Sequence, residues 1–247
     1  MKYFKYYDWK TNESGLNYTE DNLKNSSIYF SRPSKFNDPF DLKPYINFTE
    51  EDIAYLNEHF ANQGSAAISY ADYLNDIRER EKFNQFFLEL FDNMGVFCCT
   101  NRRNNLLMWS HYADEHRGVC LGFSAPLILQ DNPEVNLDGM ISFQEVKYSD
   151  KRVKLGLVGI NEFCNAVLVK HSGWKYEKEY RSIIPHYSGV IKYHPECLTE
   201  VILGCRMPEK EQERIKSILQ KRTYKPKLYL AKLKEKTFGL NFVEIKY

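Results

Sequence analysis

Aromatic residues dominate positions 2–9, broken by Lys2, Lys5 and Asp8, and this predicts an extended opening strand. Residues 22–25 read as a short helix or turn. Ile28, Tyr29, Phe30 and Ser31 predict a second strand, stopped by Arg32 and Pro33. Residues 34–45 are dense in Asn, Asp and Pro and predict a loop. The period then changes. Thr49 and Asp52 open a capping-box-like start, with Ile53, Leu56, His59 and Phe60 at helical spacing. After a break at Gln63, Gly64 and Ser65, a second helix near 70–93 carries Tyr73, Ile77, Phe83, Phe86, Phe87, Leu90 and Phe91. Residues 49–93 are therefore expected as a helical insertion or side layer.

Strands follow at 95–99 and 119–123. Between them lies a helix over 106–116, capped by Asn104 or Asn105 and ended by Gly118. Further strands fit around 140–148, 179–184, 200–204, 226–233 and 241–246. Helices fit 208–221 and 154–171, the latter with Leu157, Ile160, Phe163, Cys164, Val167 and Leu168 on one stripe. Many strands with segregated helices predict an α+β fold: one domain over 1–247 with a mixed or antiparallel central sheet.

Composition narrows the classes. A hydrophobic fraction of 43% and an aromatic fraction of 15% exclude a disordered chain. Thirty-four Lys and Arg against 33 Asp and Glu leave a net charge of +1, which excludes a polybasic mode of nucleic-acid binding but not a local basic patch. No apolar run is long enough to span a bilayer, and the first residues lack the apolar core of a signal peptide. A cytoplasmic protein without membrane contact is expected. The six cysteines read as reduced, mostly buried thiols, and only His194 and Cys197 resemble a ligand pair, so no metal is expected. Dinucleotide-binding, P-loop and serine-hydrolase motifs are missing.

Three constellations could carry chemistry. In the run from Trp174 to Arg181, strand alternation places Glu177, Glu179 and Arg181 on one face. Two adjacent carboxylates raise each other's proton affinity while a guanidinium opposes it; the alternative is a solvent-facing edge laced with salt bridges. In the loop after Phe30, Asn37 and Asp38 favour an Asx turn and Pro39 fixes the next residue, so Phe36 and Phe40 anchor the loop while Ser31 or Asn37 faces a ligand. On the helix over 106–116, Trp109, Tyr112 and His116 share a face, either as core or as a wall that stacks on a planar ring. Asp38, Asp41, Glu177 and Glu179 would cluster if the loop met the late strand, but their spacing does not match common metal-dependent nuclease cores.

These segments resemble a bacterial domain-of-unknown-function family, number 2971. The resemblance rests on the aromatic strand at 3–7, IYFSRPSKFNDPFD at 28–41, LLMWSHYADEHRGVCLGF at 106–123, VKYSD at 146–150 and KHSGWKYEKEYR at 170–181. It runs from about residue 3 to the strand near 204 and leaves 42–93 unmatched. The order of pieces is also similar to mono-ADP-ribosyltransferases, with a basic or polar residue in the first strand, a serine in the second and Glu-x-Glu in a late one. That resemblance implies Lys5 or Tyr6 in the first role, where the family carries His or Arg, with Arg32 compensating. It implies Ser31 in the second role and Glu177 with Glu179 in the third. It further implies that NAD is a substrate, that Glu179 stabilises the oxocarbenium-like ribose, and that Glu177 orients an acceptor, a protein or a nucleic acid. Tyr6, Trp109 or Tyr112 would sandwich the nicotinamide. Replacing Glu179 by Gln is then expected to abolish turnover and leave the melting temperature nearly intact. A setting in bacterial antiviral defence or toxin biology fits this reading. The competing reading is a nucleic-acid-processing or non-catalytic binding component of a defence or stress system, in which the charged run is structural.

Overall fold

Tyr3 and Phe4 are adjacent in sequence and buried in different cores, one on each side of a central sheet. That division follows from the period of two along the first strand. The computed structural model describes residues 1–60, 68–127, 129–130, 135–155 and 165–247. The strands are β1 (Lys2–Tyr7), β2 (Ser27–Phe30), β3 (Tyr45–Ile46), β4 (Gly95–Thr100), β5 (Val119–Ser124), β6 (Ile141–Glu145) and β7 (Lys147–Ser149). They continue as β8 (Lys154–Leu155), β9 (Val169–His171), β10 (Glu179–Ile184), β11 (Gly189–Lys192), β12 (Leu198–Leu203), β13 (Lys227–Leu233) and β14 (Leu240–Ile245). The helices are α1 (Tyr18–Asn25), α2 (Glu50–Phe60), α3 (Tyr70–Asn75), α4 (Ile77–Asp92), α5 (Leu106–Tyr112) and α6 (Glu209–Lys221).

Eight strands form one sheet in the order β14-β13-β12-β5-β1-β4-β10-β6. Every neighbouring pair is antiparallel except β12 and β13, which are parallel and joined through α6. A parallel pair needs such a crossover, whereas antiparallel neighbours need only a turn. The fold is thus α+β with a mixed sheet. One core packs α6, through Ile215 and Leu219, against Tyr3, Leu121 and Val201. The opposite core packs Trp109 and Ala113 against Phe4, Tyr6 and Ile202. Helices α2, α3 and α4 enclose an aromatic cluster of their own, with Phe48, Tyr73, Phe83 and Phe87, which makes this block a side layer.

The sheet is least continuous at the β1–β4 seam. β1 pairs with β5 along its whole length, but with β4 only at Phe4 and Thr100. The two strands therefore splay, and side chains at their diverging ends line a cleft.

Three local expectations need correction. Residues 154–171 are not one helix. Lys154–Leu155 pairs with β3, and Val169–His171 pairs with β7, so backbone pairing claims both ends. Leu157, Ile160, Phe163 and Cys164 lie outside the described residues, as do Gln63, Gly64 and Ser65. The helix expected to reach 116 stops at Tyr112, and Asp114, Glu115 and His116 follow with φ of 46°, 51° and 71°. Gly118 is required there by close approach, since a Cβ would stand 2.1 Å from the Tyr7 carbonyl oxygen. Finally, Glu177 is not in a strand. It ends a 3-10 turn over Ser172–Glu177, and Lys178, at φ 47°, turns the chain into β10.

Candidate functional site

Arg181 is wholly buried on β10, and a buried guanidinium requires acidic or carbonyl partners. It has them on every side. Nε donates to Glu179 Oε1 at 2.6 Å, Nη1 to the Val167 carbonyl at 2.9 Å, and Nη2 to both oxygens of Asp41 at 2.7 and 2.8 Å. Lys170, on β9, is the second cation. Its Nζ lies 2.6 Å from Glu177 Oε2, 2.9 Å from Glu179 Oε2 and 3.4 Å from Asp41 Oδ2. Three carboxylates thus share two cations, and the network carries one net negative charge when all five groups are ionised.

The two glutamates differ in electrostatics. Burial would raise Glu179, but Arg181 and then Lys170, with hydrogen bonds from Arg181 and Cys98, hold its carboxyl well below the usual range. Burial raises Glu177; Lys170 opposes this only partly, and the Glu179 charge adds to it. The Tyr112 hydroxyl donates to Glu177 Oε1 at 2.6 Å, and Asn37 Nδ2 donates to that hydroxyl at 3.3 Å. Burial and then the Glu177 charge push Tyr112 up, so its phenol stays protonated as the donor. The Tyr148 hydroxyl accepts the Glu179 backbone N–H at 2.9 Å, and burial raises Tyr148 to about 12. Burial would lower Lys170, but Glu179, Asp41 and Glu177 outweigh it and keep the ammonium charged.

The cleft at the β1–β4 seam has a volume of ≈ 270 Å³, and Glu177, Glu179 and Lys170 line it. Ser31 reaches the same cleft because its backbone pairs with Val96, which seats the loop after β2 against β4. Lys5 and Tyr6 of β1, with Asn37 and Tyr112, complete the polar lining, while Phe4, Phe36 and Met108 supply apolar wall. Lys35 also lines the cleft; among the described residues neither it nor Lys5 forms an ion pair, and the Lys5 ammonium stands 5.4 Å from the Phe97 ring centroid.

Residues 108–182 match the family model of DUF2971, described as a protein of unknown function. The resemblance drawn from the motifs is borne out over that segment, which covers less than half of the chain. No curated protein and no solved structure matches the chain significantly. The DUF2971 segment contains Tyr112, Lys170, Glu177, Glu179 and Arg181, whereas Lys5, Tyr6, Ser31, Asn37 and Asp41 precede it. The cleft is thus assembled by the segment together with the first two strands and the loop that follows them.

Three candidate residues, Trp109, Arg32 and Arg181, do not line the cleft. Trp109 is fully buried, with its indole N–H donated to the Arg103 carbonyl at 2.9 Å, so it is core and presents no stacking face to the cleft. Arg32 is exposed and donates to Ser188 Oγ at 2.9 Å. Arg181 lies beneath the carboxylates, with its donors taken up by Glu179, Asp41 and the Val167 carbonyl. Conversely, Lys170 was missed as a central residue because its stretch reads as the end of a helix. Asp41 does meet the late strand, but as the partner of two cations. Among the described residues, no group of three or more His, Cys, Asp and Glu is placed to hold a metal ion. No helix among them is long and apolar enough to cross a membrane.

Proposed function

We propose that the cleft cleaves NAD between nicotinamide and ribose and passes the ADP-ribosyl group to a nucleophilic acceptor. The observation that carries this reading is the meeting of Glu177, Glu179, Ser31, Lys5 and Tyr6 in one cleft. Its volume suits the nicotinamide riboside end of the substrate, with the diphosphate extending past Lys35, whose charge lacks an acidic partner among the described residues. The aromatic side chains of Tyr6, Phe36 and Tyr112 offer a wall for the pyridinium ring.

When the C1′–N bond breaks, its electron pair leaves with neutral nicotinamide, and positive charge develops on the ribose. A carboxylate network with net negative charge, fixed in place by Arg181 and Lys170, stabilises that charge without reorganising. Glu179 is the permanently ionised member. Glu177, raised by burial, is the group suited to take a proton from the acceptor as the acceptor's oxygen or nitrogen bonds to C1′. Ser31 holds the ribose hydroxyls.

One observation favours the competing reading of a purely structural network: both Glu179 oxygens are already held by cations. Incubation with NAD labelled in the adenylate half, together with protein, RNA and DNA acceptors, separates the two. Transferred label with released nicotinamide supports the transfer reading; intact NAD under every condition rejects it.

A further inference from the structure

Beyond Asn37 and Lys170 lies a second and larger cavity of ≈ 480 Å³, and these two residues line both spaces. They form the partition: Lys170 Nζ bonds Glu177 and Glu179 on the cleft side, and sits 5.1 Å from the Trp174 ring on the other. Trp174 is half-buried, and Phe40 is 63% exposed, an unusual cost for an aromatic side chain inside a loop otherwise pinned by Asp38 and Asp41. The Arg152 guanidinium stands 5.9 Å from the Phe40 ring and is fixed by the carbonyls of Lys43 and Pro44.

Cations outnumber acids on this cavity, whose two carboxylates are Asp38 and Asp150. Lys43, Lys151 and Arg152 line it, and none of the three forms an ion pair among the described residues. The acids present are engaged locally: Asp38 accepts the Phe40 backbone N–H, and Asp150 accepts from Ser172 Oγ beside His171. Exposed aromatic faces flanked by unpaired cations suit a base and its phosphate, because every base has a stacking face and every nucleotide a negative charge. The volume is within the range that holds small planar ligands.

We infer that this cavity binds a nucleotide unit of single-stranded nucleic acid and that the strand is the acceptor for the group transferred in the adjoining cleft. The second half of this inference rests on the transfer reading of the cleft; the first half does not. A strand seated there places one nucleotide against the Asn37–Lys170 partition, next to the carboxylates.

Anisotropy of a fluorescently labelled single-stranded oligonucleotide, as DNA and as RNA, tests the binding. Wild type is expected to bind one or both with an affinity that falls as salt rises. Phe40→Ala is expected to weaken binding at least about fivefold, and Lys151→Glu to weaken it and flatten the salt dependence. Both side chains are exposed and outside the cleft, so release of nicotinamide from NAD persists in both variants while label transfer to the oligonucleotide falls. Absence of oligonucleotide binding, equal binding by Phe40→Ala, or label appearing on protein in place of the oligonucleotide would overturn the inference. Phe40-dependent binding without any nicotinamide release would leave the binding site standing and remove its role as acceptor site.

Discussion

Both carboxylate oxygens of Asp41 accept from a single nitrogen, Nη2 of Arg181, at 2.7 and 2.8 Å, across 140 residues of sequence. The contact ties the Asn/Asp/Pro-rich loop to β10 and brings Asn37 beside Tyr112 and Glu177. Neither group touches bulk water. Removing Asp41 leaves Arg181 paired with Glu179 but takes both carboxylate acceptors from a buried Nη2, which costs about 3 kcal/mol. Asp41→Ala is therefore expected to lower the melting temperature by roughly 10 °C. An unchanged melting temperature would show that the pair contributes little to the fold.

The same logic changes the expected behaviour of Glu179→Gln. The melting temperature should not stay nearly intact, because Gln cannot neutralise Arg181 and Lys170. Glu179 and Glu177 also carry opposite pH signatures. Glu179 is depressed below its ordinary value of 4.5, so its stabilising contribution is present above that value and is lost as pH falls toward its folded value. Glu177 is raised, so its contribution is present below 4.5 and is lost as pH rises through the folded value. Denaturant titrations should show wild type losing ground to Glu179→Gln as pH falls below 4.5, and gaining on Glu177→Gln as pH falls from neutrality toward 4.5. Parallel curves would remove the distinction drawn between the two acids.

Tyr112 tunes Glu177 through one hydrogen bond, which lowers the acid's proton affinity. Tyr112→Phe keeps the ring and deletes the donor. The acidic limb of the rate profile for NAD cleavage is expected to move to higher pH, with a several-fold loss of kcat near neutrality. A profile identical to wild type would detach Tyr112 from the reaction.

Lys35 is exposed at the cleft and makes no ion pair among the described residues. If it meets the diphosphate, Lys35→Ala removes an interaction shared by ground state and transition state. KM for NAD should rise about tenfold with kcat nearly unchanged. A fall in kcat at constant KM would place Lys35 in the chemical step instead.

Local pattern was a good guide where one face of an element had to be buried. Val119–Ser124, Glu179–Ile184 and Glu209–Lys221 form at or within a residue of where period and caps placed them. It failed where tertiary pairing decided. The stretch 154–171 carries a helical stripe from Leu157 to Leu168, yet β3 and β7 offer hydrogen-bonding edges that draw its two ends into strands. Strand alternation correctly put Glu179 and Arg181 on one face. Glu177 joins them for another reason: a 3-10 turn and the left-handed Lys178 redirect its side chain. Lys170 carried no local signal, because its role depends on acids supplied by the loop after β2 and by the 3-10 turn and strand beyond it. Trp109 shows the opposite error: its spacing with Tyr112 marked a shared face, and only packing reveals that one is core and the other lines the cleft.

The central claim is that the cleft breaks the bond between nicotinamide and ribose. Its most direct test is the rate of nicotinamide release from NAD by wild type and by Glu177→Gln, with and without nucleic acid, well below the melting temperature of each. The account predicts release by wild type and a fall of at least about 100-fold in the variant, with the variant still folded by circular dichroism. No release by wild type, or equal release by the two, would contradict it.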